Sequence, residues 1–428
     1  MAQPVNPPRG MRDFLPVDKA RREHALGIIR GSYAAQGFEE IETPVMEDAA
    51  RLHSGLGGDN EKLAFGILRR GLSRETVAEL AAIGDLESLT DLGLRFDLTV
   101  PLARFYASHR AALPSVFKSI QIAPVWRAER PQKGRYRQFV QCDIDVIGEA
   151  DIAAEIELIT ATIATLEALG LSGCTIRINH RAILRGLIGS WGIAESDYER
   201  AMITIDKEDK IGVEGVVAEL VDLGLIDESA TATAAENLSG LPDDGWGLLD
   251  DETGETPPWL DTDAYRGLHA IRAAVAAVAP TAPLVFSHNL VRGMGYYTGA
   301  IFEIQHPEFG YSLGGGGRYD GMIGRFLGTD VPAVGFSLGF ERIVDLVDVP
   351  EERAGDSVVL VYDRDVEATT LFRLKRDLIS DGARVRIEKR VKNLKPLLER
   401  LADAGYTRFA AVTPRVTDVD ELQFRELS

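Results

Sequence analysis

The sequence has few of the residues that build disulfide or zinc frameworks. Its 428 residues include two cysteines, Cys142 and Cys174, and seven histidines without a His-x-x-x-His spacing. These counts exclude a disulfide framework and a Cys-x-x-Cys site, and they make a structural zinc unexpected. Two separate thiols fit a reducing compartment, so we expect a cytoplasmic protein. Because the ligand spacings are missing, we also expect no metal ion bound by the protein.

Long uncharged apolar runs are also missing. The most apolar stretch, residues 271–286, is interrupted by Arg272, Pro280 and Pro283. Such a stretch cannot serve as a membrane span, and the chain does not open on a secretory signal. We therefore expect no membrane association.

Positive charge is in short supply, since 47 basic residues stand against 66 acidic ones and give a formal net charge of −19. A chain this acidic repels nucleic acid on average, so any nucleic-acid site must be a local basic surface. The chain also has neither a Gly-x-x-x-x-Gly-Lys-Ser/Thr loop nor a strand–Gly-x-Gly-x-x-Gly–helix unit. If ATP is bound, it is therefore not bound by a P-loop or a Rossmann unit.

The densest basic segment is residues 125–139, which hold four arginines, a lysine and a glutamate between two apolar runs. This pattern predicts a strand, a basic loop and a second strand. Because guanidinium forks match phosphate and carboxylate oxygens, the loop indicates a polyanion held over a sheet. The alternative is a solvated basic hairpin.

The second of these strands carries three polar side chains at alternating positions, Gln141, Asp143 and Asp145. Side chains two apart on a strand share a face, so the three should line one surface. They suit the recognition of a polar or cationic ligand. An amphipathic strand with a solvated face explains the pattern equally well.

Three further segments combine glycine or proline with charge: residues 94–101, residues 290–299, and residues 314–321 with 335–342. The four consecutive glycines at 314–317 let the backbone approach a ligand or another strand closely. A tight turn is the alternative explanation.

Hydrophobic periodicity gives a coarse secondary structure. Helices are expected at 18–36, ended by Gly37, and at 149–169, while 38–45 predicts a strand that Pro44 restricts to an edge or an interface. Further expected elements are a strand at 94–98 before a helix at 100–107, strands at 175–179, 284–286, 298–305 and 333–338, and a largely helical acidic insertion at about 181–278.

The pattern changes at 347–356, which we interpret as a linker. In 357–428 strands alternate with helices, which predicts a small parallel α/β domain. Residues 384–395 contain six basic residues and one glutamate, so they form a candidate polyanion surface or, alternatively, a solvated helix start and edge strand. The expected fold class is α+β, an antiparallel sheet flanked by helices in 1–346, with a helical insertion and the small α/β domain.

Taken together, these segments resemble the class II aminoacyl-tRNA synthetases, and specifically the histidyl-tRNA synthetase family. Residues 37–44 look like motif 1, residues 127–139 like motif 2 and residues 335–342 like motif 3. The marks specific to the family are Arg-Gly-x-x-Tyr-Tyr at 292–297 and Gly-Gly-Arg-Tyr-Asp at 316–320. Residues 8–13 and 95–101 are also similar to that family, and the resemblance extends from residue 8 to past 400.

The resemblance implies an activity and partners. The expected reaction is the activation of histidine with ATP to histidyl-adenylate, followed by transfer to the 3′ end of tRNA-His. ATP is then a substrate, Mg²⁺ is expected with it, and motif 1 implies a homodimer. The domain at 357–428 is expected to resemble an anticodon-binding domain, in a shortened form.

The resemblance also assigns roles to residues. Arg127 and Arg292 are the expected catalytic cations at the α-phosphate. The remaining expected ATP contacts are Glu129 at the adenine side or the tRNA 3′ end, Arg135 at the outer phosphates and Arg342 at adenine and the γ-phosphate. Histidine is expected to meet Asp97, Thr99 and Gln141 through its α-amino group, Arg292 through its carboxylate, and Asp145, Tyr297 and Tyr319 through its imidazole, with Tyr296 beside them.

Two features depart from the family pattern. Gly295 stands where the family usually has an acidic residue before the paired tyrosines, which bears on how Arg292 is positioned and which amino acid is accepted. The chain also reaches Ser428 about where the family would continue into a final strand and helix.

Two alternatives to the full reaction are therefore considered. One is a related enzyme that activates an amino acid without charging tRNA, or that charges another acceptor. The other is a regulatory subunit of ATP phosphoribosyltransferase, but the α/β tail and the three arginines Arg127, Arg292 and Arg342 count against it.

Overall fold

A computed structural model describes residues 5–53, 63–85, 87–131, 134–239, 245–249, 256–292, 295–347 and 357–427. The chain forms two compact units. The first comprises Met1–Asp13 and His24–Val347, and the second comprises Phe14–Glu23 and Asp348–Ser428. The division falls at the start of the expected linker, whose residues 348–356 lie outside the described ranges.

The helices and strands of the first unit alternate irregularly along the chain. Its helices are α1 (Pro16–Ala35, which begins in the second unit), α2 (Ala49–Leu52), α3 (Arg74–Ala82), α4 (Thr99–His109), α5 (Ala153–Ala168), α6 (Arg181–Ser190), α7 (Tyr198–Ile205), α8 (Glu208–Asp222), α9 (Thr231–Ser239), α10 (Thr262–Val278), α11 (Asp320–Leu327) and α12 (Phe340–Ile343). Its strands are β1 (Glu39–Glu40), β2 (Met46–Asp48), β3 (Phe65–Leu68), β4 (Thr90–Leu94), β5 (Phe117–Trp126), β6 (Gln138–Ile147), β7 (Thr175–His180), β8 (Leu284–Phe286), β9 (Ala300–Gln305), β10 (Gly314–Arg318) and β11 (Ala333–Gly339).

A large sheet organises this unit, with the described strands in the order β1-β5-β6-β11-β10-β9-β7-β8. The pairs from β5 to β7 are antiparallel, and the outermost pairs, β1 with β5 and β7 with β8, are parallel. Helices α1 and α5 cover one face, where Ile29 and Leu158 pack in the same core as Cys142 and Ile144 of β6. The alternate residues of β6 therefore point to the opposite face. The expected α+β architecture is confirmed.

The helical region 181–278 contains α6 to α10, as predicted. Its apolar side chains, such as Leu187, Met202 and Val275, belong to the same core as the large sheet. The region is thus packed as part of the unit. Residues 240–244 and 250–255 of its Gly- and Asp-rich loop lie outside the described ranges.

Two local predictions need correction, and one pair of alternatives is decided. The strand expected at 38–45 is reduced to β1 at the sheet edge, with Pro44 beyond its end. The strand expected at 94–98 already ends at Leu94, because Asp97 turns its carboxylate to the backbone N–H of Val100 at the start of α4. The glycines at 314–317 form the interior strand β10 rather than a tight turn.

A smaller antiparallel sheet, β2-β4-β3, completes the described strands of the first unit. Several of its apolar side chains face outward: Val45 just before β2, Met46 on β2, Leu68 on β3 and Leu92 on β4 are all exposed.

The second unit contains β12 (Ser357–Tyr362), α13 (Ala368–Ser380), β13 (Arg384–Lys389), α14 (Lys395–Asp403), β14 (Arg408–Val412) and β15 (Phe424–Glu426). Strands β13, β12 and β14 are parallel, which confirms the predicted α/β pattern. Strand β15 adds antiparallel to β14. The sequence pattern did not predict this final strand, and Phe424 anchors it by packing on the unit's core.

The basic residues at 384–395 are partly neutralised within this unit. Arg386 pairs with Glu388, Arg390 with Asp363 and Lys395 with Glu399.

Among the helices that the structure describes, none is both long enough and apolar enough to cross a membrane.

Candidate active site

The polar row on β6 lies on the sheet face opposite α1 and α5. Gln141, Asp143 and Asp145 are all buried, and each aspartate is 4% exposed. The solvated-face interpretation of this strand is therefore wrong. Two carboxylates buried this deeply need either a proton or a cationic partner.

Glycines on the next two strands of the sheet, β11 and β10, make room above this row of polar side chains. A Cβ at Gly335 of β11 would lie 2.0 Å from Oδ1 of Asp145. On β10, a Cβ at Gly315 would lie 2.7 Å from Cζ of Arg292, and one at Gly317 would lie 2.8 Å from Cδ1 of Tyr297. Each distance is far inside van der Waals contact, so the glycine strand lets site side chains lie flat on the sheet.

Three tyrosines form one wall of the pocket. The Tyr296 ring lies 4.9 Å from that of Tyr297 and 6.0 Å from that of Tyr319, centroid to centroid, in edge-to-face arrangements. The Tyr319 hydroxyl donates to Oδ1 of Asp145 at 2.6 Å. An aromatic wall that ends at a carboxylate suits a flat ring bearing an N–H.

Acceptors without donors mark the other side of the pocket. Asp97, which is 1% exposed, has one carboxylate oxygen bonded to the Val100 N–H, whereas its Oδ2 has no hydrogen-bond partner among the described residues. Gln141 donates to Ser337 at 3.2 Å and to Asp143 at 3.3 Å, and its carbonyl oxygen is likewise without a partner there. Buried oxygens left this way suit a ligand with several N–H donors.

Burial raises the pKa of all three carboxyl groups, and neighbouring carboxylates add to this effect at Asp143 and Asp145. Burial raises the pKa of Asp145 to about 7 and that of Asp97 to about 6. The pKa of Asp143 is also raised well above its ordinary value, first by burial and then by the charge of Asp145. The positive charge of Arg127 lowers the pKa of both Asp97 and Asp143, but by less than burial raises it. The pocket therefore favours a cationic ligand.

Two guanidiniums, those of Arg127 and Arg342, are each held by a backbone carbonyl oxygen and an aromatic ring. Arg127 lies just beyond β5, donates to the Phe96 carbonyl oxygen at 2.9 Å and stands over the Phe139 ring. Arg342 of α12 donates to the Ser312 carbonyl oxygen and lies over the Tyr311 ring.

These cations act on one another. Burial, then the charge of Arg135 and, less strongly, that of Arg292, lowers the pKa of Arg342. Mutual repulsion among cations held in place is relieved by a polyanion. Arg135 itself is about half exposed, and its guanidinium lies 3.7 Å from the Glu129 carboxylate in the basic loop.

Arg292 is held by Glu303, a residue that lies outside the segments expected to form the site. Its Nη1 donates to Oε2 of Glu303 on β9 at 2.6 Å. Gly295, by contrast, is exposed, and a Cβ there would meet nothing within 4 Å. The departure at Gly295 therefore leaves the ion pair of Arg292 intact. A charged residue within the apolar segment 300–305 was the signal that could have pointed to Glu303.

A second missed carboxylate is Glu341. It is buried, accepts a hydrogen bond from the Val140 N–H at 3.2 Å and pairs with Arg12. The Arg12 guanidinium lies 3.5 Å above the Tyr136 ring. Glu341 thus ties the segment before α1 and the strand β6 to α12, beside the basic loop.

The site residues expected from the sequence all lie in the first unit. Asp97 and Thr99 stand at the start of α4, Gln141 and Asp145 on β6, and the three tyrosines opposite. Burial raises the pKa of Tyr296 well above its ordinary value, and the nearby Thr99 side chain partly offsets that rise. Of the segments singled out, Gln132, Lys133, Gly293 and Met294 lie outside the described residues. Within the described ranges, no group of three or more His, Cys, Asp or Glu side chains could hold a metal ion.

The comparisons with known proteins identify the class and then the family. An antiparallel sheet with phosphate-matching arginines and no P-loop fits the class II aminoacyl-tRNA synthetases, and the model of the family "Histidyl-tRNA synthetase" matches residues 10–343. The chain belongs to the histidyl-tRNA synthetase family.

A curated relative supports this membership along the chain. The histidine–tRNA ligase of Leifsonia xyli subsp. xyli is 60% identical over 424 residues, which cover 97% of this chain and 98% of that protein. The chain thus spans nearly the full length of this relative, including the α/β tail.

Solved structures show the same fold. The histidyl-tRNA synthetase of Nostoc sp. PCC 7120 superposes with a TM-score of 0.76 at 25% identity and covers 100% of this chain and 95% of that one. A Bacillus halodurans protein described as an ATP phosphoribosyltransferase regulatory subunit/histidyl-tRNA synthetase has a TM-score of 0.73 at 21% identity, with 97% and 100% coverage. The latter likeness concerns the fold alone.

Proposed function

We propose that the protein is a histidine–tRNA ligase, which activates histidine with ATP and transfers it to the 3′ end of tRNA-His. The observation that carries this proposal is the adjacency of a buried acidic, tyrosine-walled pocket and a cluster of arginines on one sheet face. The first fits an amino acid with a ring N–H, and the second fits a triphosphate.

Histidine recognition is assigned to the acidic pocket. Asp97, Thr99 and Gln141 hold the α-ammonium group, which satisfies the unpartnered oxygens of Asp97 and Gln141. Asp145 accepts the imidazole N–H between Tyr297 and Tyr319. A pocket built around such a bond rejects apolar analogues by about 10⁴-fold, because they leave its polar groups unpaired.

Activation joins two anions. A carboxylate oxygen of histidine attacks the α-phosphorus of ATP, the bond from that phosphorus to the bridging oxygen breaks, and pyrophosphate leaves. Arg127 and Arg292 are assigned to the α-phosphate, with Arg292 also facing the substrate carboxylate. Preorganised cations contribute about 3–4 kcal/mol each to the transition state, and the alignment of the two reactants contributes further.

The remaining ATP contacts belong to the basic loop and to α12. Arg135 binds the outer phosphates, Arg342 stacks on adenine and reaches the γ-phosphate, and Glu129 contacts the adenine side or the 3′ end of the tRNA. The proximity of Arg135 and Arg292 to Arg342 supports this grouping, because each lowers the pKa of Arg342.

Transfer follows from the same arrangement. A ribose hydroxyl at the 3′ end of tRNA-His attacks the carbonyl carbon of the adenylate and gives up its proton as the ester bond forms. The bond from that carbon to the phosphate oxygen breaks, and AMP leaves with this oxygen. The α/β unit at 357–428 is assigned to the tRNA anticodon. Its parallel β13-β12-β14 sheet and its basic residues at 384–395 support this assignment.

Mg²⁺ accompanies the nucleotide in this proposal. Magnesium usually takes one or two protein carboxylates together with substrate phosphates. Glu341 is the candidate carboxylate ligand, because it is buried and adjoins Arg342 in the chain. Both of its carboxylate oxygens, however, already accept hydrogen bonds. The residues fit an ion carried mainly by the phosphates, which neutralises part of their charge.

A second copy of the chain is proposed as a partner, in the cytoplasm. The exposed apolar side chains of Met46, Leu68 and Leu92 lie on the small sheet that follows the motif 1 segment. Burial of such a face against its own copy explains its composition. Cys142 and Cys174 are not joined in a disulfide, which fits a reducing cytoplasm.

The proposal is tested by charging tRNA-His with labelled histidine and ATP, using the purified protein. Histidine-dependent charging is expected. Pyrophosphate exchange without charging would contradict the transfer step and favour activation alone. Absence of both, together with co-purification of a phosphoribosyltransferase, would favour the regulatory-subunit alternative.

A further inference from the structure

A row of side chains crosses the sheet beside the active site. Arg177 on β7 is in register with Glu303 on β9, and Glu303 is in register with Gly315 on β10. Residues in register share a face of the sheet. Arg292 lies over Gly315, so it meets Glu303 from the other side. Glu303 therefore lies between two guanidiniums.

The contacts of Glu303 are unequal. Its Oε2 accepts from Nη1 of Arg292 at 2.6 Å, whereas its Oε1 is 3.5 Å from Nη1 of Arg177. Arg177 is anchored independently, because its Nη2 donates to Oγ of Ser287 at 2.7 Å and to Oδ1 of Asn289 at 3.0 Å. The chain of contacts thus runs from the segment after β8 to Arg292.

We propose that Glu303 is a positioning residue, which holds the Arg292 guanidinium over Gly315 in the geometry that activation needs, with Arg177 as its fixed anchor. This inference rests on the role proposed above for Arg292. Neither Glu303 nor Arg177 touches the reacting atoms in this proposal. Both act through Arg292.

Electrostatics explains why Arg292 needs such a support. The charge of Arg292 lowers the pKa of Arg342, although burial and Arg135 lower it more, so the two guanidiniums repel one another weakly. Tyr297 and Asp206 also favour the charged form of Arg292, but Glu303 contributes more than either and is in direct contact with the guanidinium. The long side chain of Arg292 has several rotatable bonds. Glu303 opposes the repulsion and selects one rotamer. A guanidinium already in place needs no reorganisation during the reaction.

Arg177 has a separate electrostatic consequence. A lone carboxylate at 2.6 Å would neutralise most of the charge that Arg292 offers to an α-phosphate. Because Arg177 shares Glu303, the three side chains together keep one net positive charge. The arrangement holds Arg292 in place while preserving its attraction for the phosphate.

The test is a double-mutant cycle on histidine-dependent pyrophosphate exchange. Glu303→Gln retains the shape of the side chain but removes its charge. We expect kcat to fall by about 10- to 100-fold, the scale of a small misplacement at a reacting centre, with KM for ATP and histidine within about threefold of wild type. In an Arg292→Ala background the same change should alter kcat by less than about twofold, because its target is gone.

A matched control and a second variant complete the design. Glu308→Gln removes an equal charge from an exposed position just beyond β9 and should leave kcat unchanged. Arg177→Met removes the anchor and its compensating charge. It should lower kcat in the same direction as Glu303→Gln, and again only when Arg292 is present. Thermal unfolding verifies that each variant is folded.

The proposal is overturned if Glu303→Gln keeps the wild-type kcat, or if its loss is as large without Arg292 as with it. If Glu303→Gln does not fold, the Arg177→Met cycle decides by the same criterion. Failure of the proposed function looks different, because the wild-type protein itself would then show no histidine-dependent exchange.

Discussion

The hydroxyl of Tyr319 donates a 2.6 Å hydrogen bond to Oδ1 of Asp145, where both residues are almost fully buried. The bond occupies one carboxylate oxygen and leaves the other for a ligand. It also holds the carboxylate in one orientation above Gly335, where a Cβ would lie 2.0 Å away. The hydrogen bond therefore fixes the orientation of the carboxylate that is proposed to accept the imidazole N–H.

Removal of the phenol hydroxyl tests that role. Tyr319→Phe should raise KM for histidine by about 10- to 100-fold, because a hydrogen bond to a charged group contributes about 1.5–3 kcal/mol. KM for ATP should change little, since the arginines that bind it are elsewhere. Pyrophosphate exchange at varied histidine concentrations measures both. An unchanged KM for histidine would argue against the assignment of Asp145 to the imidazole.

The pH dependence of stability follows from the raised pKa of Asp145. Its ordinary pKa of 3.8 rises to about 7 in the folded protein, mainly through burial. The folded state therefore favours the neutral carboxyl, a contribution that is present below about pH 4 and lost as the pH rises through 7.

Asp145→Asn removes this pH-dependent loss. Without ligand, the variant should gain about 1–3 kcal/mol relative to wild type between pH 5 and pH 8, while losing histidine activation. Urea unfolding at the two pH values measures the gain. A difference in stability that does not change with pH would show that Asp145 is ionised at both.

The glycine floor gives a steric prediction. Gly335→Ala places a methyl group against Asp145, and no neighbouring flexible end can yield without moving the carboxylate. We expect KM for histidine to rise by at least about 10-fold, with a stability loss of about 1–3 kcal/mol from overpacking. Gly295→Ala is the matched control, because a Cβ there meets nothing within 4 Å. Equal effects of the two changes would refute the steric argument.

A buried ion pair supports the sheet from the helix side. Arg318 of β10 donates through Nε and Nη2 to the two carboxylate oxygens of Glu155 on α5, both at 2.6 Å. Glu155→Ala leaves a buried guanidinium without this carboxylate and should reduce the free energy of unfolding by about 3–5 kcal/mol. Chemical denaturation measures this. A loss below about 1 kcal/mol would mean that Asp320, which also contacts Arg318, is sufficient.

The catalytic assignment of Arg292 yields the largest expected loss. Arg292→Ala should lower kcat for pyrophosphate exchange by about 10²- to 10³-fold. Arg266→Ala, at an exposed arginine on α10, is the charge-matched control, and its kcat should remain near the wild-type value. Wild-type kcat in the Arg292 variant would remove the basis of the role assigned to this residue.

Local pattern was sufficient for much of the fold. The alternation on β6 placed Gln141, Asp143 and Asp145 on one face, and the apolar runs around 125–139 predicted β5 and β6. The α/β order of the second unit was also predicted, although its final strand β15 was not. The predicted ends of strands were wrong where a single contact decides them. The strand expected at 94–98 ends at Leu94, after which the Asp97 carboxylate accepts a hydrogen bond from the Val100 N–H.

The sequence by itself determined the α+β architecture, the family and the residue types of the site, because periodicity and motif spacing are local properties of the chain. Only the tertiary structure decided that the four glycines form a strand under Arg292 and that Glu303 holds this arginine in spite of Gly295. It also decided that the β6 aspartates are buried. These features depend on the register between strands that are far apart in the chain. They also depend on burial, which determines the free energy needed to keep a side chain charged.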